Sequence, residues 1–319
     1  MNVNEAAFGQ VTIVGAGLLG HAIGLVHALG GCRVILHDSS EAAVSQALAL
    51  ARSAAEVLVE VGAYDQKNVS HALDRIRTEV DLAKALQGTD LVVEAITEEA
   101  EAKRAVYTLI DRHAPEQAVI ASNTSYLDIF PLLPERRQAR ALIVHWYTPP
   151  YAIDLVDVVK GPQTEPAVAE AMCGFLRGLG KKPILLEKFL SGYIANRIQT
   201  AISLEAFHLI DAGLASAEDI DTAIKYGLAE RLALLGHLKR IDYTGLKVTQ
   251  LNLANKAYSP PELRGRSDVV DRLVSEGKLG VAAGNGFYNY EGQTPAELFR
   301  DRDRRLFSLK HALNDIGRY

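Results

Sequence analysis

Residues 11–30 read VTIVGAGLLGHAIGLVHALG, and their order decides the fold. VTIVG, Val11 to Gly15, is a short apolar run suited to a buried strand. Gly15-Ala16-Gly17-Leu18-Leu19-Gly20 then turns the chain. The following HAIGLVHALG has helical spacing, with Ile23, Val26, His27 and Leu29 near one face. A GxGxxG turn between strand and helix has a defined physical use. Gly15 allows the tight turn, Gly17 lets backbone approach a pyrophosphate, and Gly20 permits close helix-to-strand packing. The free amides of the turn and helix start, around Leu18 and Leu19, favour phosphate charge. RVILHD, Arg33 to Asp38, is a second strand that ends in an acid 18 residues after Gly20. A carboxylate there binds a ribose 2′-hydroxyl and repels a 2′-phosphate, so the expected cofactor is NAD rather than NADP. His37 beside it reads as packing or surface.

Outward from this unit the pattern repeats. An Ala-rich helix runs from Glu41 to Val61 and ends at Gly62. After a polar linker with a short helix, IRTEV, LVVEAI (Leu91 to Ile96), AVIAS (Ala118 to Ser122), ALIVHWY, DLVDVV and PILLE read as strands. EAEAKRAVYTLIDRH reads as a helix between two of them. Such alternation implies βαβ units and a mainly parallel sheet. From Ser191 the reading turns helical, broken at SPPELRGRS and at the GNGFYNY turn. The expected class is therefore α/β: a Rossmann-type domain over residues 1–190, then an all-α domain over 191–319.

Composition bounds the function. At ~150 residues per domain, 319 residues give about two domains. Hydrophobic residues at 48% and charged residues at 23% exclude disorder, collagen and coiled coil as the main architecture. Lys and Arg total 34 against 39 Asp and Glu, a net charge of −5. No basic block is dense enough for a nucleic-acid surface. RDRDRR, Arg300 to Arg305, alternates sign and reads as a solvated helix face. Cys32 and Cys173 lie far apart without a CxxC, so neither a disulfide framework nor a zinc site is expected. MNVNEAAFGQ has no secretory pattern, and no apolar run approaches the ~18 residues of a membrane span. A cytoplasmic protein without a membrane or metal partner is the expectation.

The order GAGLLG, VVEAITEE, SNTS, HWYTPP, LVDVV, SGYIANR, GNGFYNY resembles the L-3-hydroxyacyl-CoA dehydrogenase family over nearly the whole chain. The resemblance implies a Rossmann-type domain, a helical dimerisation domain and a homodimer. It implies His145 as general base, Asp157 as its carboxylate partner, and Ser125 near the nicotinamide and the reacting hydroxyl. It further implies Asn196 as the group that orients substrate and base, with Glu98 and Lys103 lining the cofactor site. The chemistry agrees without the family. Oxidising an alcohol needs proton loss from oxygen as well as hydride loss, and histidine, with its ordinary pKa of ~6.5, suits the proton step. A neighbouring carboxylate fixes the tautomer and stabilises the imidazolium. In a strand DLVDVV, Leu155, Asp157 and Val159 share one face while Asp154 points away, so one acid should reach His145.

The departures from the family bear on substrate. Asp157 stands where glutamate is usual, shortening the reach by one methylene. Thr148 replaces the asparagine that contacts the nicotinamide side. Ala54, Val61 and Ala282 stand where a serine and two lysines are common in the CoA enzymes, and Arg52 is the only basic side chain between Glu41 and Gly62. CoA phosphates normally meet Lys or Arg. GLAERLALLG, Gly227 to Gly236, is instead similar to the L-gulonate 3-dehydrogenase (lambda-crystallin) and L-carnitine dehydrogenase-like relatives, and implies Arg231 as a clamp for a substrate carboxylate. The expected reaction is hydride transfer between NAD and the hydroxyl carbon of a small hydroxy acid or hydroxyacyl substrate bearing an anion. A CoA thioester is the alternative substrate. A non-catalytic NAD-binding or structural protein is the alternative of another class, against which the retained His145, Asp157 and Asn196 argue.

Overall fold

The computed structural model describes residues 8–256 and 258–317. The chain divides into two units between Tyr193 and Ile194. The sequence places this boundary three residues earlier. Ser191 to Tyr193 stay with the first unit because they are tied to its residues 124–126. Gly192 N donates to the Ser125 carbonyl at 3.1 Å, Ser191 Oγ to the Tyr126 carbonyl at 3.0 Å, and the buried Tyr193 hydroxyl to the Thr124 carbonyl at 2.6 Å.

In the first unit eight strands form one sheet: β1 (Gln10–Val14), β2 (Arg33–His37), β3 (Ile76–Glu79), β4 (Leu91–Glu94), β5 (Val119–Ser122), β6 (Ala141–Trp146), β7 (Leu155–Lys160) and β8 (Lys182–Leu186). Their spatial order is β3-β2-β1-β4-β5-β6-β7-β8. The order reverses between β1 and β4, and ligands of such sheets bind in the crevice beyond the strand ends at that point. Every neighbouring pair is parallel except β6 and β7. Only residues 147–154 join those two, too few for a crossover helix, so they pair antiparallel. The central strands are buried on both faces, which is why they read as continuous apolar runs.

Helices α1 (Gly20–Leu29), α2 (Glu41–Glu60), α3 (Gln66–Asp74), α4 (Leu82–Ala85), α5 (Ala100–His113), α6 (Glu135–Gln138) and α7 (Pro166–Gly178) complete this unit. α1 sits close to the sheet because Gly24 has no side chain; a Cβ there would stand 2.6 Å from Leu36 Cδ2. Ser40 caps α2 by accepting from Ala43 N. By length and composition α2 is apolar enough to cross a bilayer, which the sequence reading does not anticipate. Its Val44, Ala47, Ala51, Ala54, Ala55 and Leu58 recur at helical spacing as one buried face, as in a helix of a βαβ unit.

The second unit contains α8 (Ala195–Asp211), α9 (Ala217–Thr222), a π-helical stretch Ala223–Ala229, α10 (Glu230–Leu235), α11 (His237–Thr244), α12 (Leu246–Asn255), α13 (Asp268–Ser275) and α14 (Pro295–Ile316). Asp211 accepts from the amides of Asp268 and Val269 and from the Ser267 hydroxyl, which fixes the start of α13 on the end of α8. Phe207 and Phe287 stack at 6.1 Å. Thr294 and Glu297 form a capping box that starts α14. Within RDRDRR the solvated-face reading fails at one residue: Asp303 is buried and accepts from Arg302 at 2.7 Å.

Candidate active site

The glycine turn lies where β1 ends. Gly15 has φ +97°, and a Cβ on it would stand 2.6 Å from the Ala95 carbonyl oxygen after β4. A Cβ on Gly20 would collide with the Gly15 carbonyl oxygen. Gly17 differs: an added Cβ there meets nothing within 4 Å. The protein's own packing does not demand glycine at 17, so the open space in front of it fits a ligand that approaches the backbone. Among the described residues no side chain caps the start of α1, which leaves its amides open to a phosphate. Beside the turn a hollow of about 290 Å³ is lined by Ala16, Leu18, Asp38, Ala47 and Leu50 among others. Asp38 is held for its task, since Oδ2 accepts from Ala16 N at 3.0 Å and Oδ1 from Ser39 N at 2.8 Å. These residues fit the adenosine half of NAD. Leu18 is exposed and lines the hollow, and Leu19 is the residue just before α1.

Beyond β4 the chain builds a charge network that the sequence reading captures only in part. Glu94 is fully buried. It accepts from Lys103 Nζ at 2.6 Å, Ser122 Oγ at 2.6 Å, Tyr107 Oη at 2.7 Å and Ile96 N at 3.0 Å. Lys103 is itself buried and also stands 3.6 Å from Glu98 Oε2. It therefore works behind the cofactor loops, supporting Glu98 from the core. Glu98 Oε1 accepts from the amides of Ser125 and Tyr126 at 2.8 Å and from Thr124 Oγ1 at 2.7 Å. Burial alone would raise the Glu98 carboxyl, but those donors and Lys103 hold it below the usual carboxylate range. The net effect clamps the segment that presents Ser125.

His145 and Asp157 face each other across the antiparallel β6–β7 pair. Both are buried. Ser125 Oγ lies 3.1 Å from His145 Nε2. On the other side of the ring, Nδ1 is 3.6 Å from Asp157 Oδ2. The strands are direct neighbours, as the short aspartate requires, yet the missing methylene still leaves a gap wider than a hydrogen bond. Tyr147 and Tyr193 enclose the imidazole, with ring centroids at 4.6 Å and 5.0 Å. Tyr147 Oη donates to Asp157 Oδ2 at 2.6 Å. Thr148 is exposed just beyond and precedes the cis Pro149. Trp146 points the other way into the core, beside His27 and Lys181.

The structure thus brings together Ser125, His145 and Asp157, with Glu98 behind Ser125. Asn196 and Arg231 belong to the second unit. Asn196 is half-buried in the first turn of α8. Arg231 is exposed on α10, its guanidinium turned back onto the Gly227 carbonyl. Ala54 is buried in α2 and Ala282 is exposed. Sequence reasoning missed Glu94, Tyr107, Ser122, Tyr147 and Tyr193. Two of them left a signal. Glu94 is a lone charge inside the apolar run LVVEAI, and Tyr147 follows His145 at the period of a strand face.

Comparison with known proteins agrees with this geometry. The family model for the 3-hydroxyacyl-CoA dehydrogenase NAD binding domain matches residues 10–189. That for the 3-hydroxyacyl-CoA dehydrogenase C-terminal domain matches residues 192–290. The chain is 27% identical over 308 residues to 5-formyl-3-hydroxy-2-methylpyridine 4-carboxylate 5-dehydrogenase of Mesorhizobium japonicum, covering 95% of this chain and 98% of that one. It is 35% identical over 290 residues to mitochondrial hydroxyacyl-coenzyme A dehydrogenase of Rattus norvegicus, covering 88% and 91%. Among solved structures it is similar to a 5-formyl-3-hydroxy-2-methylpyridine 4-carboxylic acid 5-dehydrogenase described as an NAD+ dependent dismutase. The TM-score is 0.86 at 26% identity, covering 98% of this chain and 99% of that one.

Proposed function

The chain belongs to the 3-hydroxyacyl-CoA dehydrogenase family of NAD-dependent dehydrogenases acting on CH–OH groups, and from that premise we propose that its substrate is a small hydroxy acid rather than a CoA thioester. The observation that carries the chemistry is Ser125 Oγ at 3.1 Å from a buried His145 Nε2, with a carboxylate on the far side of the ring. Bound NAD supplies the hydride acceptor. His145 Nε2 takes the proton of the substrate hydroxyl, and Ser125 Oγ holds that oxygen beside it. Asp157 stabilises the imidazolium that results. Asn196 orients the substrate, Arg231 clamps its anionic group, and Thr148 lines the nicotinamide side.

Three things support the small substrate. Val61 and Ala282 stand where lysines meet CoA phosphates in the CoA enzymes, and Ala54 stands where they carry a serine. Arg231 supplies a guanidinium suited to a carboxylate. The Mesorhizobium relative, matched over nearly its full length, is named for a pyridine carboxylate. The 35% identity to a hydroxyacyl-CoA enzyme favours the second reading, a CoA thioester. The two part in one experiment: NADH formation measured with a panel of hydroxy acids, carnitine-like and pyridine alcohols, and 3-hydroxyacyl-CoAs. The proposal expects the highest kcat/KM among the free acids. A high value confined to the CoA esters overturns it.

The proposal extends to a homodimer, since the second unit leaves Tyr243, Leu246, Leu251 and Leu253 more than half exposed. Both cysteines are free buried thiols, the state a reducing compartment preserves, which supports a cytoplasmic setting.

A further inference from the structure

Asp157 is fully buried, and the hydrogen bond that holds it comes from Tyr147 rather than from His145. The phenol donates to Oδ2 at 2.6 Å, while His145 Nδ1 stays 3.6 Å from the same oxygen. Among the described residues, neither His145 Nδ1 nor Asp157 Oδ1 has a hydrogen-bond partner. Tyr147 lies two residues past His145, just beyond the end of β6, and its ring meets the imidazole edge-on. The phenol and the imidazole therefore compete for one carboxylate oxygen.

We propose that Tyr147 is a positioning residue that divides the Asp157 carboxylate between itself and His145, and so sets the pH at which the catalytic imidazole takes up its proton. A carboxylate that accepts a short hydrogen bond is stabilised as the anion and pulls less strongly on a neighbouring cation. Without the phenol hydroxyl, Oδ2 is free to turn to Nδ1, and the buried charge then depends on the imidazolium for compensation. The other groups facing His145 do not take over this task. Ser125 Oγ is at Nε2, on the opposite side of the ring. Tyr193 donates its hydroxyl to the Thr124 carbonyl, and burial, together with the charges of Glu98, Asp157 and Asp128, pushes its phenol well above the ordinary range, so it stays neutral. Glu98 is occupied by the 124–126 segment and Lys103.

The inference rests on the reading of His145 as the base, so its test includes an arm that needs no substrate. The His145 ring signals, identified by their loss in His145→Gln, are titrated by NMR in the wild type, Tyr147→Phe, Asp157→Asn and the double variant. The titration midpoint should rise by about half a pH unit or more in Tyr147→Phe and fall in Asp157→Asn. In the Asp157→Asn background, adding Tyr147→Phe should move it no further, because the effect passes through the carboxylate. The half-maximal pH of kcat/KM for alcohol oxidation should rise with the midpoint in Tyr147→Phe. A midpoint shift without turnover on any substrate supports the coupling and overturns only the dehydrogenase reading. An unmoved midpoint in a folded Tyr147→Phe protein, or an equal shift with and without Asp157, overturns the proposal.

Discussion

α1 buries nine of its ten residues, whereas α8 to α12 bury none among theirs. The first unit closes on an interior of its own. Buried strands carry the loops that hold Glu98 and Ser125, and β6 holds His145 itself, so the site geometry of that unit is fixed by packing. The second unit instead keeps large side chains such as Leu246, Leu253 and Tyr243 in the open. Leaving that much apolar surface in water forgoes the main favourable term of folding, about 25 cal/mol per Å². The difference teaches that the cofactor chemistry rests on a half that carries its stability inside, while the exposed apolar surface of the other half is what the proposed homodimer would cover.

The sharpest way to break this contrast is to attack the buried charge of the first unit. Lys103→Met leaves Glu94 without its cation and should cost about 3–5 kcal/mol by urea unfolding. A cost near zero would mean that the interior is not held by that pair.

Acid tests the same interior. Burial pushes His27 down to about 4, with Lys181 acting in the same direction and the hydrogen bond to Ile23 against it. The unfolded chain takes up that proton near 6.5, the folded one only near 4. The contribution is thus fully present above pH 6.5 and is lost as pH falls toward 4, by about 3 kcal/mol in all. The unfolding free energy of His27→Gln should fall less steeply than that of the wild type across this window. Equal slopes would remove His27 from the account.

For the second unit, Leu246→Glu with Leu253→Glu should weaken self-association by roughly tenfold or more in sedimentation velocity. In a chain that works alone such surface changes cost within about 0.5 kcal/mol and alter no mass. The smallest expected effect is local. Asp38→Ser should narrow the preference for NADH over NADPH by roughly tenfold in calorimetry, through loss of the ribose contact and of the repulsion.

The two halves were not equally legible in the sequence. The βαβ frame and the glycine turn are local patterns, strand then turn then helix, and they appear in the structure where residues 11–38 place them. The antiparallel β6–β7 step was less visible, because it depends on a loop length rather than on periodicity. The sequence reading passes over α7, although Pro166 in its first turn and the helical spacing of Val168, Ala169, Met172, Cys173 and Leu176 carry its pattern. Ser125, His145 and Asp157 meet in space, but the motif resemblance named them; their spacing alone says only that Asp157 shares a strand face with Leu155 and Val159. Tyr147 and Glu94 escaped notice because their roles lie in which partner each side chain chooses. The burial of Asp303 likewise cannot be read from an alternating charge run.

The central claim is that His145 moves the proton in a dehydrogenase that binds NAD through its own first unit. The direct measurement is steady-state turnover of His145→Ala beside the wild type on the best substrate of the panel, with NADH binding followed by fluorescence in both proteins. The account predicts unchanged NADH affinity and a kcat lower by about 10²–10⁴. Turnover equal to the wild type, with the cofactor bound normally, would contradict it.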